Sequence, residues 1–276
     1  MLENFIFENH LGQRFIGLEN GVYLNSNDLR DFSLNYDTLN GRISRFYKSV
    51  TSRKIPLIVL CNSDEKAVEV KNKIFELSAA DTEAKIPGKI YIGDYYLNGY
   101  VTESKKTDYN LKKRLCRIEL TFTSDDDSWY SMTKHTFISG DNETGNIGGN
   151  TDYPYDYPYD YALPLKGRNI VCDTVGKSAF QLLIYGEAVN PTVIIGGHTY
   201  AINGTVGKGE TLLIDSLTKT IILTTAYGNK VNWFDKRNRT QYIFEPIPSG
   251  QNTVSWLGNF GFDLTIIEQR SEPKWT

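Results

Sequence analysis

Cysteine is scarce in this chain, and its scarcity excludes two kinds of structural support. The 276 residues include three cysteines, Cys61, Cys116 and Cys172, which lie far apart along the sequence. An odd number at such spacing fits neither a disulfide framework nor the paired cysteine ligands of a zinc site. We therefore expect each thiol to behave as a small buried apolar side chain in a reducing compartment.

Long hydrophobic runs and a strong charge excess are also missing. The longest apolar run, Ile55 to Cys61, is interrupted by Pro56 and is far shorter than the roughly 20 residues of a membrane-spanning helix. The net charge of −3 argues against nucleic acid or an anionic membrane as a partner. The N-terminus carries Glu3 and Glu8 and lacks the basic and apolar segments of a secretory signal. We expect no membrane insertion and no specific nucleic-acid binding.

Catalytic, cofactor and metal motifs are missing as well. Gly176–Ser178 has the Gly-Lys-Ser ending of a phosphate-binding loop, but Val171 stands where that motif needs its first glycine. The acidic segments at 125–127 and 141–145 lack the ligand spacing of a calcium loop. No pair of carboxylates and no nucleophile with a base stands out. We therefore predict a protein that is not an enzyme, with no catalytic, cofactor-binding or metal-binding residues.

The composition is that of a globular protein with two domains. Hydrophobic residues make up 40% and charged residues 23%, and the length suffices for two cores. A Gly/Asn-rich run at 140–150 precedes a Tyr-Pro repeat, DYPYDYPYDY, at 152–161. Because proline removes backbone donors, the repeat cannot lie inside a helix or a central strand. The sequence therefore predicts an N-terminal domain at 1–140, a connector at 141–165 and a C-terminal domain at 166–276.

The first domain is predicted to combine strands with one helix. A buried strand at 55–61 leads to a helix near 63–79, which Asn62 or Ser63 can cap. Six apolar residues form the helical stripe: Ala67, Val68, Val70, Ile74, Phe75 and Leu77. After Pro87 the pattern becomes β, and a polar, basic stretch near 102–114 predicts an exposed hairpin arm. This pattern indicates an α+β domain.

The second domain is predicted to be entirely β, as a sandwich or a barrel. Short apolar runs alternate with turns, and Gly196-Gly197 is a two-residue hairpin signal. The expected strands are Asn169–Asp173, Ser178–Tyr185, Thr192–Ile195, His198–Ile202, Thr211–Asp215, Thr220–Thr225, Gln241–Phe244, Asn252–Trp256 and Phe262–Gln269.

Aromatic residues are the main candidates for function. Tyr95, Tyr96 and Tyr100 lie near a predicted hairpin and could serve the core, a sugar-stacking surface or a subunit contact. Strand alternation places Tyr95 and Tyr96 on opposite faces. Trp233 is a candidate platform for sugar stacking.

Several segments give the chain a family resemblance that covers nearly its whole length. They are KIYIGDYYLNGYV at 89–101, the helix after IPLIVLCNS, the YPYDYPYD repeat, GETLLIDSLTKTI at 209–221 and PIPSGQNTVSW at 246–256. With these segments the chain resembles the siphovirus phage distal tail proteins, a family of baseplate hub or phage tail components.

The resemblance implies a fold and a role. It implies an N-terminal belt domain that closes into a hexameric ring, and a C-terminal galectin-like β-sandwich. The ring would join the tail tube protein to the tail-tip protein, and receptor-binding proteins would dock on the sandwich. Such a protein would be made in the bacterial host cytoplasm and reside at the tail tip of the virion.

The resemblance also suggests interface residues. In a ring-forming protein, a tyrosine-rich connector can pack at a joint between domains, so its tyrosines are expected to be partly buried. The interface candidates are Tyr95, Tyr96, Tyr100, Tyr153, Tyr155, Tyr157, Tyr159 and Tyr161.

Two other functions stay open at this point. Galectin-like sandwiches commonly stack sugars, so the chain could be a carbohydrate-binding module that recognises host cell-wall polysaccharide, with Trp233 in the site. A hydrolase acting on the host cell wall is a third hypothesis, although no constellation of residues supports it.

Overall fold

The computed structural model describes residues 4–108, 114–139 and 166–275. The predicted connector at 141–165 lies outside the described residues, as does the tip of the predicted arm at 109–113. The expected burial of Tyr153, Tyr155, Tyr157, Tyr159 and Tyr161 therefore stays a prediction.

The chain divides into two compact units. The first comprises Met1–Ser131 and Gln269–Thr276, and the second comprises Met132–Glu268. The division between the units thus falls before residue 140, and the last eight residues belong to the first unit rather than the second. The chain passes between units within two strands, Trp129–Phe137 and Gly261–Arg270. Because a strand keeps its alternation across such a crossing, composition alone does not mark these boundaries.

Among its described residues, the first unit contains nine complete strands, parts of two more, and one α-helix. The complete strands are β1 (Ile6–Glu8), β2 (Arg14–Ile16), β3 (Val22–Leu24), β4 (Asn35–Leu39), β5 (Arg42–Tyr47), β6 (Thr51–Leu60), β7 (Gly88–Ile92), β8 (Tyr95–Asp108) and β9 (Leu115–Ser124). The partial strands are the start of β10 (Trp129–Phe137) and the end of β21 (Gly261–Arg270). The helix is α1 (Asp64–Ala84), and Leu18–Asn20 forms a 3₁₀ turn.

Strand β8 belongs to two sheets of the first unit. Its first half pairs with β7 and β10, in the order β10-β8-β7-β1-β2. Its second half pairs with β9, which continues to β6 and β3. The partner changes between Gly99, which pairs with β7, and Tyr100, which pairs with β9. A bulge between Val101 and Glu103 follows at once, and bulges bend a strand and increase its twist. The first hydrophobic core includes Phe15, Ile55, Phe122 and Trp129, which are almost fully buried.

Helix α1 begins and ends at residues suited to those positions. The Ser63 side chain accepts a hydrogen bond from the backbone N–H of Lys66 at 3.1 Å, as an N-cap does. The helix runs to Ala84, five residues beyond the predicted end, because no chain breaker intervenes before Lys85 adopts a left-handed conformation with φ of 55°. Ala67, Val70, Ile74 and Leu77 are buried as predicted.

Two residues of the predicted apolar stripe of α1 lie outside the core. Val68 and Phe75 are exposed, and Phe75 retains 69% of its accessible surface. The helix buries a single narrow face, so the two residues at the margin of the stripe stay in solvent.

The second unit is a β-sandwich. Besides the remainders of β10 and β21, its strands are β11 (Lys166–Cys172), β12 (Ala179–Tyr185), β13 (Ala188–Val189), β14 (Thr192–Ile195), β15 (His198–Ala201), β16 (Thr205–Val206), β17 (Thr211–Asp215), β18 (Thr220–Thr224), β19 (Lys230–Asn232) and β20 (Gly250–Trp256), with a 3₁₀ turn at Phe234–Lys236. One sheet has the order β19-β18-β17-β12-β21 and the other β11-β20-β14-β15, while β13 pairs with β16.

Eight of the nine strands predicted for the second domain are present, with shifts of a few residues at their ends. The exception is Gln241–Phe244, which forms a turn in which the N–H of Glu245 donates to the carbonyl of Tyr242. Ile243 and Phe244 are nevertheless buried, so these apolar side chains serve the core from a loop. Gly196 and Gly197 form the predicted hairpin turn, with φ of 57° and 83°.

The fold class is confirmed: the chain is mainly β, with one α-helix among the described residues and an all-β sandwich in the second unit. The three cysteines are free and buried, as expected. Burial raises the pKa of each thiol, which keeps all three in the unreactive neutral form.

A buried ion pair connects two parts of the first unit. Arg53 on β6 contacts the carboxylate of Asp127, and both side chains are almost completely buried. The guanidinium of Arg53 also donates to the backbone carbonyl of Asp31 at 2.8 Å. The pair therefore joins the segment before β4, the start of β6 and the segment before β10.

We expect Asp127→Asn to destabilise the first unit by about 3–5 kcal/mol, because it leaves the Arg53 guanidinium buried and uncompensated. Urea unfolding followed by circular dichroism measures the loss. Glu103→Gln, which removes an exposed pair with Lys105, is the control and should leave the midpoint unchanged. Equal midpoints for the two variants would contradict the structural role of the pair.

Candidate interaction surfaces

Strands β4 and β5 form a hairpin that is not among the elements predicted from the sequence. Asn40 and Gly41 connect them, with φ of 51° and 73°. Two consecutive positive φ values fit a type I′ turn, for which Asn-Gly is the preferred dipeptide. The signal was therefore present in the sequence, between residues of mixed polarity.

The hairpin is exposed along its entire length. Every residue of β4 and β5 is exposed, although several are large and apolar, and Phe46 retains 60% of its surface. An isolated two-stranded hairpin is marginally stable in water at best, since it buries almost nothing. Apolar side chains in this position therefore favour contact with another surface.

The register of the hairpin separates an apolar face from a charged face. Tyr36 lies opposite Phe46 and Thr38 lies opposite Ile43, and a register shift between Asp37 and Thr38 leaves Ser44 without a partner. This pairing places Tyr36, Thr38, Ile43 and Phe46 on one face. The opposite face carries Asn35, Asp37, Leu39, Arg42, Arg45 and Tyr47. The hairpin is amphipathic, with its apolar face uncovered.

The base of the hairpin is anchored firmly to the first unit. Before β4, Arg53 holds the Asp31 carbonyl, and Arg30 donates to the carbonyl of Pro273 at 3.0 Å. After β5, the Lys48 ammonium donates to the Ser128 hydroxyl at 2.8 Å. Burial lowers the pKa of Lys48, and the nearby Asp126 and Asp127 carboxylates oppose that shift. The hairpin thus projects from a fixed base.

Helix α1 presents a second exposed apolar surface. Val68, Phe75 and Ala79 are spaced by seven and four residues, which places them in one row along the helix. Val68 and Phe75 are exposed and Ala79 is half-buried. Beside this row runs a second row of exposed acidic residues, Glu69, Glu76 and Glu83. We call these the apolar row and the acidic row of α1.

The predicted tyrosines lie in different environments. Tyr95 is buried in the first core, while Tyr96 is half-buried on the other face of β8, as alternation requires. Tyr96 lies opposite both Tyr91 and Tyr130, with ring centroids 5.8 Å away in each case. Tyr100 is half-buried farther along β8, opposite Thr123. The structure therefore joins Tyr96 to a row of three tyrosines and places Tyr95 and Tyr100 elsewhere.

The row of three tyrosines is already covered in part by charged side chains. The Lys89 ammonium lies 4.9 Å from the ring centroid of Tyr96, and the Arg14 guanidinium lies 5.1 Å from that of Tyr91. Tyr130 donates a hydrogen bond to Asp126, and burial together with this bond raises the pKa of Tyr130.

Trp233 lies between the core of the second unit and a turn. It is partly buried and packs against the second hydrophobic core. Its ring also lies over Gly204, where an added Cβ would come within 2.9 Å of the indole. This packing requires glycine at 204 and gives the indole a structural role. Fully exposed aromatic surface in the second unit is instead provided by Tyr227.

The described parts of the chain contain no group of three or more histidine, cysteine, aspartate or glutamate side chains placed to hold a metal ion. None of the helices that the structure describes combines the length and apolarity needed to cross a membrane.

By sequence, the chain matches no protein-family model and no curated protein. By structure it is similar to the SPP1 Dit (gp 19.1) protein, described as a paradigm of the hub adsorption apparatus in phages that infect Gram-positive bacteria. That match has a TM-score of 0.57 and 9% identity, and covers 96% of this chain and 99% of the other.

Phage P2 baseplate structures in the activated conformation are also similar. The match to the form with Ca has a TM-score of 0.59 and 12% identity, and covers 99% of this chain and 100% of the other. The form with Sr gives a TM-score of 0.59 at 13% identity, with the same coverage. The predicted resemblance to distal tail and baseplate hub proteins is thus confirmed at the level of the fold, over nearly the whole chain.

We expect Trp233→Ala to destabilise the second unit by roughly 2–4 kcal/mol, somewhat less than the loss for a fully buried tryptophan. Thermal unfolding measures this effect, and Tyr227→Ala, at an exposed position, is the matched control. A Trp233→Ala protein with unchanged stability and abolished binding to cell-wall polysaccharide would instead identify the indole as a sugar platform.

Proposed function

We propose that this chain is a structural phage tail protein that assembles with copies of itself into a ring at the distal end of the tail. The observation that carries the proposal is the β4–β5 hairpin, whose apolar face is uncovered although its base is anchored. The shared fold with phage hub and baseplate proteins supports the same role.

A ring follows from the kind of contact that such a hairpin makes. A projecting hairpin on one copy meets a different surface on the next copy, so the contact is heterologous. Heterologous contacts close into a ring when the rotation between neighbours allows it. We propose six copies, the number that the family resemblance implies.

The partners proposed for the ring are those of a tail hub. It would join the tail tube protein to the tail-tip protein and serve as a docking hub for receptor-binding proteins. The protein would reside in the virion, at the tail tip, after synthesis in the host cytoplasm. The proposed role is structural and involves no catalysis.

Carbohydrate binding by the second unit has less support. The candidate platform, Trp233, packs against the core and over Gly204, so much of its ring is not available for stacking.

We expect Phe46→Asp to abolish ring assembly while leaving the fold intact. The substitution places a charge on the apolar face of the hairpin, where each contact would lose about 2 kcal/mol or more of apolar burial. Native mass spectrometry and light scattering on the purified protein measure the number of copies.

Leu11→Asp is the matched control, because Leu11 is similarly exposed but lies in the turn after β1. It should assemble like the unaltered protein. A chain that stays monomeric at every concentration, or a Phe46→Asp variant that assembles normally, would overturn the proposal.

A further inference from the structure

We infer that the apolar face of the hairpin binds the apolar row of helix α1 in the neighbouring copy. This inference rests on the proposed ring and names its second surface. The contact would place Tyr36, Ile43 and Phe46 of one copy against Val68, Phe75 and Ala79 of the next.

The apolar row of α1 is left largely uncovered within its own copy. The helix packs on the first core through Ala67, Val70, Ile74 and Leu77, a separate face. Phe75 remains 69% exposed, so no described element of its own copy covers most of its ring. A phenylalanine that keeps most of its surface in solvent contributes little to folding, and burial against a partner would remove its apolar surface from water.

Charge complementarity supports this pairing. Helix α1 contains six acidic residues and three lysines, and its acidic row lies directly beside its apolar row. The hairpin strands contain two arginines, Arg42 and Arg45, and one aspartate. Both arginines lie on the charged face of the hairpin, away from the proposed contact. A hairpin is only two strands wide, however, so these long side chains can reach past its edge to the carboxylates of the acidic row.

The row of three tyrosines on β7, β8 and β10 is a less suitable acceptor. Lys89 and Arg14 already lie over Tyr96 and Tyr91. A hairpin docking there would have to displace these cations from the rings, whereas the apolar row of α1 is open to solvent.

Crosslinking tests the contact directly. In the double variant Thr38→Cys, Ala79→Cys, each copy carries one thiol on the apolar face of the hairpin and one on the apolar row of α1. Both replacements are small, so Phe46 and Phe75 remain in place. A short bismaleimide, which forms a thioether with each of two thiols, should link neighbouring copies into a ladder extending beyond the dimer on a denaturing gel. The three native cysteines are buried and should not react.

Control variants show whether the crosslinks come from contact between the hairpin and α1. Each single variant offers one new thiol per copy and should give no ladder. Thr38→Cys with Val175→Cys carries its second thiol at a 90% exposed position of the second unit and should give none either. Charge reversal provides an independent measurement. A double variant of the hairpin, Arg42→Glu with Arg45→Glu, should weaken assembly several-fold, and so should a double variant of the helix, Glu76→Lys with Glu83→Lys. A protein that carries all four substitutions should recover assembly.

The outcomes separate this inference from the proposed function. Phe75→Asp places a charge on the apolar row of α1, as Phe46→Asp does on the hairpin. If Phe46→Asp abolishes assembly but Phe75→Asp does not, and the Thr38–Ala79 thiol pair gives no ladder, the proposed ring is retained and the proposed contact with α1 is wrong. If neither substitution affects assembly, the hairpin does not form the ring. A ladder together with loss of assembly in both variants supports the contact.

Discussion

The buried contact between Arg53 and Asp127 holds together the part of the first unit from which the β4–β5 hairpin projects. It fixes the start of β6 to the segment before β10, and the same guanidinium holds the Asp31 carbonyl just before β4. Lys48, after β5, is held by Ser128 next to that pair. A buried ion pair is costly to assemble and contributes little net stability, but breaking it is strongly unfavourable. It is therefore well suited to holding the base of a projecting hairpin at a defined place.

Two surfaces of the first unit leave large apolar side chains uncovered. The hairpin and the apolar row of α1 both expose side chains that a self-sufficient domain would bury, such as Phe46 and Phe75. The base of the hairpin is anchored, and the buried face of α1 packs on the core. An anchored scaffold with uncovered apolar faces supports the proposed assembly, in which contacts between copies would bury these side chains.

The second unit buries a group of large aromatic side chains. Its sandwich places Trp256, Phe180 and Tyr200 in a continuous core, and even the aromatic candidate Trp233 packs inward. A turn, rather than a strand, delivers Ile243 and Phe244 to this core. Burial in a sandwich depends on side chains from any nearby segment, so a short apolar run can serve the core without pairing in a sheet.

The sequence by itself determined many of the local elements. Helical spacing identified α1, alternation identified eight strands of the sandwich, and two glycines identified the turn at 196–197. The hairpin at 35–47 was equally encoded by Asn40-Gly41. Only the tertiary structure decided which faces are covered. Val68 and Phe75 continue the apolar pattern of α1 yet lie in solvent, and residues after 268 belong to the first unit. Periodicity specifies that a face is apolar, but what lies against that face is set by contacts between residues far apart in the chain.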